Sequence, residues 1–175
     1  MGGAVTLVAR NKSAKAIEPI WEEVARLEDE PYMKSLNYPP HITLAMCDAI
    51  DGAALQKMLG QSFKKEAPIR VQFSKVKLVE REQLGLWLMP SKIDRLQALF
   101  HAVQSHIDSG DCRPAFQPGK WEPHCTLAAQ ISPANKAAAA KFAATKIEPI
   151  EMVFNAIEII DYAPIELVKQ WRLDV

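Results

Sequence analysis

Two short segments of the chain carry the same histidine and the same threonine in the same order. The segment PPHITLA places His41 two residues before Thr43, and the segment EPHCTLA places His124 two residues before Thr126. Alternate residues of a β-strand point to the same face of its sheet. Each segment therefore predicts a strand that presents an imidazole and a hydroxyl side by side, with its apolar residues on the opposite face.

Two imidazoles that face one centre suit general acid–base catalysis. A neutral histidine takes a proton from an attacking hydroxyl or water, and a protonated histidine gives a proton to the departing oxygen. Histidine can do both near neutral pH because its ordinary pKa is about 6.5. The two threonine hydroxyls would donate hydrogen bonds to a tetrahedral oxyanion between them. The reacting group that suits all four side chains is a phosphodiester.

A structural histidine and a metal site are the alternatives to this interpretation. Duplication for packing alone would retain the apolar positions, whereas here the outward-facing His and Thr recur. Zinc needs three or four ligands, and only His41 and His124 converge, because strand alternation turns Cys125 away from them. His101 and His106 lie off the apolar stripe of their own helix. The sequence therefore favours a catalytic pair that uses no metal and no other cofactor.

The whole chain repeats one order of elements. The segments APIRVQFSKVKLV and EPIEMVFNAIEII are 81 residues apart, and the two histidines are 83 residues apart. VTLVA near the start resembles LGLWLMP at nearly the same distance. We therefore predict internal repeats over residues 4–80 and 84–160, a C-terminal strand over residues 168–174, and a single domain over residues 1–175.

Each repeat has the order strand, helix, His-x-Thr strand, helix and long strand. Interspersed strands and helices predict a mixed α/β fold of the α+β type in two layers. Each repeat would place its helices on one face of a sheet, and the opposite sheet faces would meet across a pseudo-twofold axis. The predicted molecule is bilobal and duplicated, with helices outside and a central cleft lined by the two histidines, Thr6 and Trp87.

Two helix starts follow from residues that favour helix ends. Asp51 is predicted to cap a helix that turns Leu55, Met58 and Leu59 inward. Ser91 is predicted to cap the next long helix. Both helices carry apolar residues at the three- and four-residue spacing of an amphipathic helix.

The composition is that of an ordinary globular protein without a global charge. Hydrophobic residues make up 49% of the chain, and 21 Lys and Arg residues balance 21 Asp and Glu residues. This balance leaves no extended positive field for a long nucleic acid, so an anionic ligand must be held by local residues. No segment approaches the ~20 apolar residues that cross a bilayer, and the three cysteines form no CxxC pair. We therefore expect a monomer in the cytoplasm, without membrane contact.

Aromatic and basic residues near the two segments are candidates for substrate binding. Tyr38 and Trp121 flank the segments and Trp87 shares their predicted face, so each is a candidate to stack on a base. Ordinary packing is the alternative for all three, and Trp87 is the preferred candidate. Arg113 and Lys120 lie in the Pro- and Gly-rich stretch before the second histidine. They could grip the phosphate of a short RNA end, or the stretch could be only a connector.

The paired PHITLA and PHCTLA, inside a duplicated strand–helix–strand unit, resemble the two-histidine (2H) phosphoesterase superfamily. That superfamily includes bacterial 2′-5′ RNA ligases, cyclic nucleotide phosphodiesterases of tRNA splicing, and nucleotide-binding domains of anchoring proteins. The resemblance implies that His41 and His124 are the catalytic pair and that Thr43 and Thr126 bind phosphate. It also implies two antiparallel sheets around a water-filled cleft without metal. The resemblance further implies that the first and last strands can complete the sheet of the other unit, so lobe boundaries need not equal repeat boundaries.

Three functions are compatible with this resemblance and stay open at the level of sequence. The first is opening of 2′,3′-cyclic or related cyclic phosphates on small nucleotides or short RNA ends. The second is ATP-independent 2′-5′ joining of RNA ends, in which a hydroxyl replaces water. The third is nucleotide binding without catalysis. The neutral charge balance favours the first over the joining of tRNA halves, and the presence of both histidines argues against binding alone.

Overall fold

The computed structural model of the chain describes residues 2–174, which contain eight β-strands and five α-helices joined by loops and short 3₁₀ turns. The strands are Gly2–Val8 (β1), His41–Cys47 (β2), Ile69–Glu80 (β3), Leu84–Pro90 (β4), Cys125–Ile131 (β5), Ile150–Phe154 (β6), Ala156–Tyr162 (β7) and Glu166–Arg172 (β8). The helices are Glu18–Val24 (α1), Tyr32–Ser35 (α2), Gly52–Leu59 (α3), Asp94–Gln104 (α4) and Lys136–Ala144 (α5).

These strands form two four-stranded antiparallel sheets. The first sheet has the order β2-β1-β7-β8, and the second has the order β5-β4-β3-β6. β3 comes from the first repeat but lies in the second sheet, and β7 comes from the second repeat but lies in the first sheet. The mixed α/β architecture with two antiparallel sheets is confirmed. The sheets do not follow the repeats, because the long strand of each repeat pairs with the first strand of the other.

The two repeats meet where β3 pairs with β6. The register places Ile69 opposite Phe154 and Phe73 opposite Ile150. Ile69 and Ile150 hold the same repeat position, as do Phe73 and Phe154, so this pairing is unchanged when the repeats are exchanged. The rings of Phe73 and Phe154 are fully buried, with centroids 6.2 Å apart. A pseudo-twofold axis therefore passes through the centre of this strand pair.

The long strand of the second repeat is interrupted at Asn155, between β6 and β7. The backbone N–H of Asn155 donates to the Val8 carbonyl (3.0 Å), and its carbonyl accepts from the backbone N–H of Leu173 (2.9 Å). Its side-chain oxygen accepts from the backbone N–H of Arg10 (2.8 Å). These three bonds hold the chain at the point where it leaves the second sheet and joins the first.

The helices pack across the repeats as well as within them. α1 contacts β5 of the second sheet, and α4 contacts β2 of the first sheet. α3 packs on β1, β7 and β8, and α5 packs on β3 and β4. One large hydrophobic cluster therefore joins residues of both sheets and of the helices. Within residues 2–174, no helix is long and apolar enough to cross a membrane.

Helix α3 begins as predicted from the sequence. The Asp51 carboxylate accepts the backbone N–H of Ala54 at 2.8 Å, which satisfies one of the unpaired donors of the first turn. Leu55 and Leu59 are buried, four residues apart on the face that meets the sheet. The prediction that Met58 also points inward is wrong, because Met58 lies at the border of that face and is 41% exposed.

Helix α4 does not begin as predicted. It starts at Asp94, and no side chain caps its first turn. The Ser91 hydroxyl lies 3.0 Å from the hydroxyl of Ser74 on β3. The predicted Ser91 cap is therefore wrong, because the serine lies three residues before the helix and bonds to the neighbouring strand.

Candidate active site

The two His-x-Thr strands lie at the edges of their sheets, and these edges meet. β2 is the outermost strand of the first sheet, β5 is the outermost strand of the second, and the two strands contact each other. His41 is the first residue of β2, and His124 immediately precedes β5. The imidazoles are close enough that the charge of His41 contributes to lowering the pKa of His124. The structure therefore brings together the two histidines that the sequence paired.

Both imidazoles are anchored through the same ring nitrogen. Nδ1 of His41 lies 2.9 Å from the Pro39 carbonyl, and Nδ1 of His124 lies 2.7 Å from the Glu122 carbonyl. A carbonyl can only accept, so Nδ1 carries the proton in both rings. Each of these carbonyls belongs to a residue before a proline, where the backbone is restricted to extended conformations. Nε2 of each ring has no hydrogen-bond partner among residues 2–174 and can exchange a proton with a ligand.

A β-bulge follows the threonine of each segment. Consecutive residues of β1 pair with Thr43 and Ala45, which leaves Leu44 as the extra residue. The second sheet has the same bulge at Leu127, after Thr126. A bulge changes the alternation of side chains and often lies beside an active site. Here it lets Leu44 and Ala45 both enter the core, while the threonine keeps the face it shares with the histidine.

The backbones of the two threonines are fixed by indoles from the opposite repeats. Nε1 of Trp121 donates to the Thr43 carbonyl at 2.9 Å, and Nε1 of Trp21 donates to the Thr126 carbonyl at 3.1 Å. Neither threonine hydroxyl takes part in a hydrogen bond within the described part of the chain. The two hydroxyls are therefore held in place by their backbones and remain available to a ligand.

Trp87 stacks on His124. The indole and the imidazole are nearly parallel, with ring centroids 3.5 Å apart and planes 5° apart. The guanidinium carbon of Arg81 lies 4.9 Å from the centre of the indole, and the ammonium of Lys77 lies 5.9 Å from it. We expected this indole to stack on a base, but the histidine covers one of its faces. Trp87 therefore supports the imidazole.

Tyr38 is buried beside His41 and is part of a hydrogen-bond network. Its hydroxyl donates to Oε2 of Glu158 at 2.6 Å and lies 2.8 Å from Oγ1 of Thr6. The edge of one ring meets the face of the other between Tyr38 and His41, with centroids 5.0 Å apart. With 7% of its surface exposed, Tyr38 presents no free face to a base. Of the two interpretations drawn from the sequence, the packing one applies.

Glu158 is a fully buried carboxylate on β7, at the centre of this network. Arg10 pairs with both of its oxygens, and Nε2 of Gln170 donates to Oε1 at 2.6 Å. Burial by itself would raise the pKa of Glu158. The hydrogen bonds from Arg10, Tyr38 and Gln170 outweigh burial and bring the pKa below its ordinary value. The carboxylate is therefore charged at neutral pH.

Burial lowers the pKa of both catalytic candidates because it disfavours the charged imidazolium. The pKa of His124 falls to about 4, and the positive charges of Arg81 and His41 add to the effect of burial. The pKa of His41 is also lowered by burial, but the hydrogen bond to Pro39 and the charge of Glu158 oppose this. The two imidazoles thus share their backbone geometry and differ in the charges around them.

Trp121 and Arg113 are the remaining candidates, and both contact the first histidine strand or the residue that follows it: Trp121 bonds to Thr43 and Arg113 to Asp48. One face of the Trp121 indole stacks on Phe100, with centroids 4.3 Å apart. The Arg113 guanidinium makes a two-point contact with the exposed carboxylate of Asp48, at 2.6 to 3.0 Å. The Asp48 carboxylate therefore engages the Arg113 guanidinium, and Arg113 also lines an open cavity.

An open cavity of about 990 Å³ extends from Thr126 and Trp87. Phe116 supplies an aromatic wall. Three cations and two anions also line the cavity, namely Arg81, Arg113, Lys120, Asp48 and Glu82. The excess of cations favours an anionic ligand. Among residues 2–174, no group of three or more His, Cys, Asp or Glu side chains is arranged to hold a metal ion.

Four charged residues of this site were not found from the sequence: Arg10, Lys77, Arg81 and Glu158. Glu158 stands alone in the apolar stretch NAIEII, and the repeat aligns it with Lys77. The opposite charges at this one repeat position were the sequence signal that could have identified Glu158 and Lys77 as site residues. Arg10 and Arg81 follow strands in loops and have no distinguishing spacing.

The sequence of the chain matches the model of one protein family over residues 14–165, which include both His-x-Thr segments. The chain belongs to the 2′-5′ RNA ligase superfamily. This is a superfamily of 2H phosphoesterases, so the resemblance seen in the paired segments is confirmed. No curated protein matches the chain significantly.

Solved structures related to this superfamily member share its fold at low sequence identity. LigT of E. coli complexed with 3′-AMP is 18% identical and has a TM-score of 0.63, with 99% of each chain covered. TT0787 of Thermus thermophilus is 13% identical and has a TM-score of 0.64, covering 99% of this chain and 98% of that one. Usb1 of Kluyveromyces marxianus is 12% identical and has a TM-score of 0.54, with 98% of each chain covered. The duplicated architecture is thus shared over the full length of these proteins.

Proposed function

We propose that the chain is a metal-independent phosphodiesterase that opens 2′,3′-cyclic or related cyclic phosphates by acid–base catalysis between His41 and His124. The observation that carries this proposal is the pair of equivalent imidazoles on meeting sheet edges. Each has its Nδ1 proton engaged by a backbone carbonyl and its Nε2 free. Membership of the 2′-5′ RNA ligase superfamily supports the same class of chemistry.

The reaction needs one neutral and one protonated imidazole. The neutral imidazole accepts a proton from water, whose oxygen forms a bond to phosphorus. The bond between phosphorus and the 2′ or 3′ oxygen breaks, and the protonated imidazole gives its proton to that oxygen. The product is a phosphomonoester. Thr43 and Thr126 donate hydrogen bonds to the nonbridging phosphate oxygens, whose negative charge grows in the transition state.

The cavity beside Trp87 and Thr126 is the proposed binding site for the rest of the substrate. Its volume of about 990 Å³ lies at the upper end of the range of roughly 300–1,000 Å³ for small-molecule pockets, and its walls carry Arg81, Arg113 and Lys120. These residues would bind a second phosphate or the chain of a short RNA end. The balance of 21 basic and 21 acidic residues argues against extended contacts with a large RNA, because basic residues supply most of that affinity.

An ATP-independent 2′-5′ RNA ligase is the second candidate function, and the name of the superfamily favours it. The chemistry is the same with an RNA hydroxyl in place of water. A nucleotide-binding protein without turnover is the third. The free Nε2 atoms and the free threonine hydroxyls argue against this third function, since binding alone does not need two proton-transfer groups.

Product analysis with oligonucleotides that end in 2′,3′-cyclic phosphate tests the proposal. We expect the protein to convert these ends to a monoester, and we expect this activity to persist in EDTA. The His41→Ala and His124→Ala variants should lose the activity. Loss of activity on chelation with rescue by zinc or manganese would overturn the metal-independent mechanism. Efficient joining of tRNA halves by a protein that leaves small cyclic nucleotides untouched would favour the ligase. Tight nucleotide binding without any turnover would favour the binding protein.

A further inference from the structure

The two sides of the active site carry opposite charges at equivalent positions of the repeat. Thr6 pairs with Glu158 in the first sheet, and Trp87 pairs with Lys77 in the second. Thr6 and Trp87 are 81 residues apart, as are Lys77 and Glu158. The pseudo-twofold axis thus exchanges an anion with a cation. We call the two sets the His41 side (Thr6, Arg10, Tyr38, His41, Glu158) and the His124 side (Lys77, Arg81, Trp87, Glu122, His124).

On the His41 side, one aromatic ring connects the histidine to a buried anion. The Tyr38 ring contacts His41, and the Tyr38 hydroxyl donates to the Glu158 carboxylate. Arg10 closes the network at the surface, where it pairs with Glu158 and lies over the Tyr38 ring at 5.7 Å. Of these charges, it is Glu158 that raises the pKa of His41. The charge of Glu158 therefore favours a proton on the His41 ring and opposes the effect of burial.

On the His124 side, one aromatic ring connects the histidine to exposed cations. The Trp87 indole stacks on His124, and Arg81 and Lys77 lie near the same indole. The charge of Lys77 is balanced by an ion pair with Glu122, whose carboxylate lies 2.9 Å or less from the Lys77 ammonium. Arg81 has no such partner among residues 2–174. Burial and the charges of Arg81 and His41 lower the pKa of His124 and outweigh the carbonyl and the charge of Glu122, which raise it.

We propose that Tyr38 and Glu158 are positioning residues that make His41 the proton donor of the pair, and that Arg81 makes His124 the proton acceptor. This inference rests on the proposed function, which needs one donor and one acceptor but does not assign them. Under this assignment His124 activates the attacking water, and His41 protonates the departing oxygen. After the reaction His124 carries a proton and His41 is neutral. Proton exchange with water restores the original protonation states before the next turnover.

The charges act in the direction that the assignment requires. A nearby opposite charge favours the ionised form of a group, and a nearby like charge disfavours it. Glu158 thus opposes the effect of burial on the His41 imidazolium, whereas Arg81 adds to the effect of burial at His124. Under this assignment, His41 keeps its proton to a higher pH than His124. Between the two pKa values, His124 is neutral and His41 is protonated.

An NMR titration of the imidazole carbons in the ligand-free protein tests this order directly. We expect His41 to titrate at a higher pH than His124. Glu158→Gln should lower the pKa of His41 by about one unit and leave that of His124 nearly unchanged. Arg81→Gln should raise the pKa of His124 and leave the pKa of His41 nearly unchanged. Glu151→Gln, which removes an exposed carboxylate paired with Arg70, is the matched control and should change neither.

Glu158→Gln leaves the Arg10 guanidinium without its partner and can impair folding. The double variant Arg10→Gln, Glu158→Gln removes both charges and should still lower the pKa of His41. The exposed Arg81 can be replaced without this risk. If His124 titrates above His41, or if neither Glu158→Gln nor the double variant lowers the pKa of His41, the assignment is overturned.

The pH dependence of kcat gives a second test, with substrate. The rate should fall at low pH as His124 gains a proton and at high pH as His41 loses one. Glu158→Gln should move the high-pH limb to lower pH, and Arg81→Gln should move the low-pH limb to higher pH. Movement of the opposite limb in each variant would reverse the two roles. Because the NMR titration needs no substrate, a protein with the expected titration order but no activity would overturn only the proposed function.

Discussion

The His41 side and the His124 side share a backbone and differ in what surrounds it. Each has an edge strand, a carbonyl two residues before the histidine that fixes Nδ1, and a bulge after the threonine. Around this common frame, the His41 side has a buried network centred on Glu158, and the His124 side has a stacked indole under exposed cations. The frame is duplicated, and the electrostatic surroundings are not.

This difference is what the proposed asymmetric reaction requires of a duplicated fold. Proton transfer by two histidines needs the same reach and orientation from both rings but opposite protonation states. Reach and orientation come from backbone features, which the repeat preserves in both copies. Protonation comes from neighbouring charges, which single substitutions can change at one copy without disturbing the other. Glu158 and Lys77 occupy one repeat position and are an instance of such a change.

Removal of either histidine is the strongest test of the comparison. His41→Ala and His124→Ala should each reduce kcat on a cyclic phosphate by about 10²–10⁴-fold, because each removes a positioned proton-transfer group. The double variant should lose less than the product of the two, since the pair acts as a unit. Circular dichroism of each variant checks that the fold is retained. Near wild-type turnover in either folded variant would show that only one side is catalytic.

Removal of a threonine hydroxyl should cost less and should cost the same on both sides. Thr43→Val and Thr126→Val each delete one donor to a charged oxygen, a bond of about 1.5–3 kcal/mol. We expect kcat to fall by about 10- to 100-fold in each variant, with both histidines intact. Thr→Ser replacements, which keep the hydroxyl, are the matched controls. A large loss on one side only would mean that the phosphate is bound asymmetrically as well.

Glu28 fixes the far end of the second motif strand, and among residues 2–174 no carboxylate accepts from the backbone N–H groups of the equivalent residues on β2. Its buried carboxylate accepts the backbone N–H groups of Ala129 (2.8 Å), Gln130 (2.7 Å) and Tyr32 (3.0 Å). Glu28→Ala would leave these donors unpaired, so we expect the free energy of unfolding to fall by about 2 kcal/mol. Urea denaturation measures this change. If the free energy of unfolding, extrapolated to zero urea, falls by less than its error, water replaces the carboxylate as acceptor without a loss of stability.

The two indole donors give the smallest expected effects and the closest comparison. Trp21→Phe and Trp121→Phe each remove one hydrogen bond to a threonine carbonyl and keep an aromatic ring. Each should lower the free energy of unfolding by about 1 kcal/mol, measured by urea denaturation. We expect kcat to fall slightly in both. An unequal loss in kcat at equal stability would show that one threonine must be held more firmly than the other.

Much of the fold was predictable because it depends on patterns among residues that are close in the sequence. Strand alternation placed His41, Thr43, His124 and Thr126 on one face of each strand, and the repeat placed the two faces around one axis. Asp51 marked a helix start because a cap is a contact between residues three apart. Met58 and Ser91 were predicted wrongly because a boundary position and a cap also depend on what packs beside them.

The partners of the aromatic residues were not predictable from spacing. Trp87 pairs with His124, and Tyr38 pairs with Glu158, which follows it by 120 residues. Such contacts form between segments that only the sheet order brings together. The exchange of β3 and β7 between the sheets, which pairs Glu158 with Thr6, is what places this carboxylate on the His41 side.

The sequence by itself identified two equivalent His-x-Thr pairs, although Thr6, which it also placed in the cleft, is buried against Tyr38. Alternation along a strand and repetition along a chain are properties of neighbouring residues, so they need no knowledge of the fold. The tertiary structure alone decided which charges surround each histidine, because Coulomb interactions depend on distances in space and on burial rather than on position in the chain. For this protein, the candidate catalytic groups could therefore be identified from two seven-residue segments, and the difference between their surroundings is visible only in the assembled sheets.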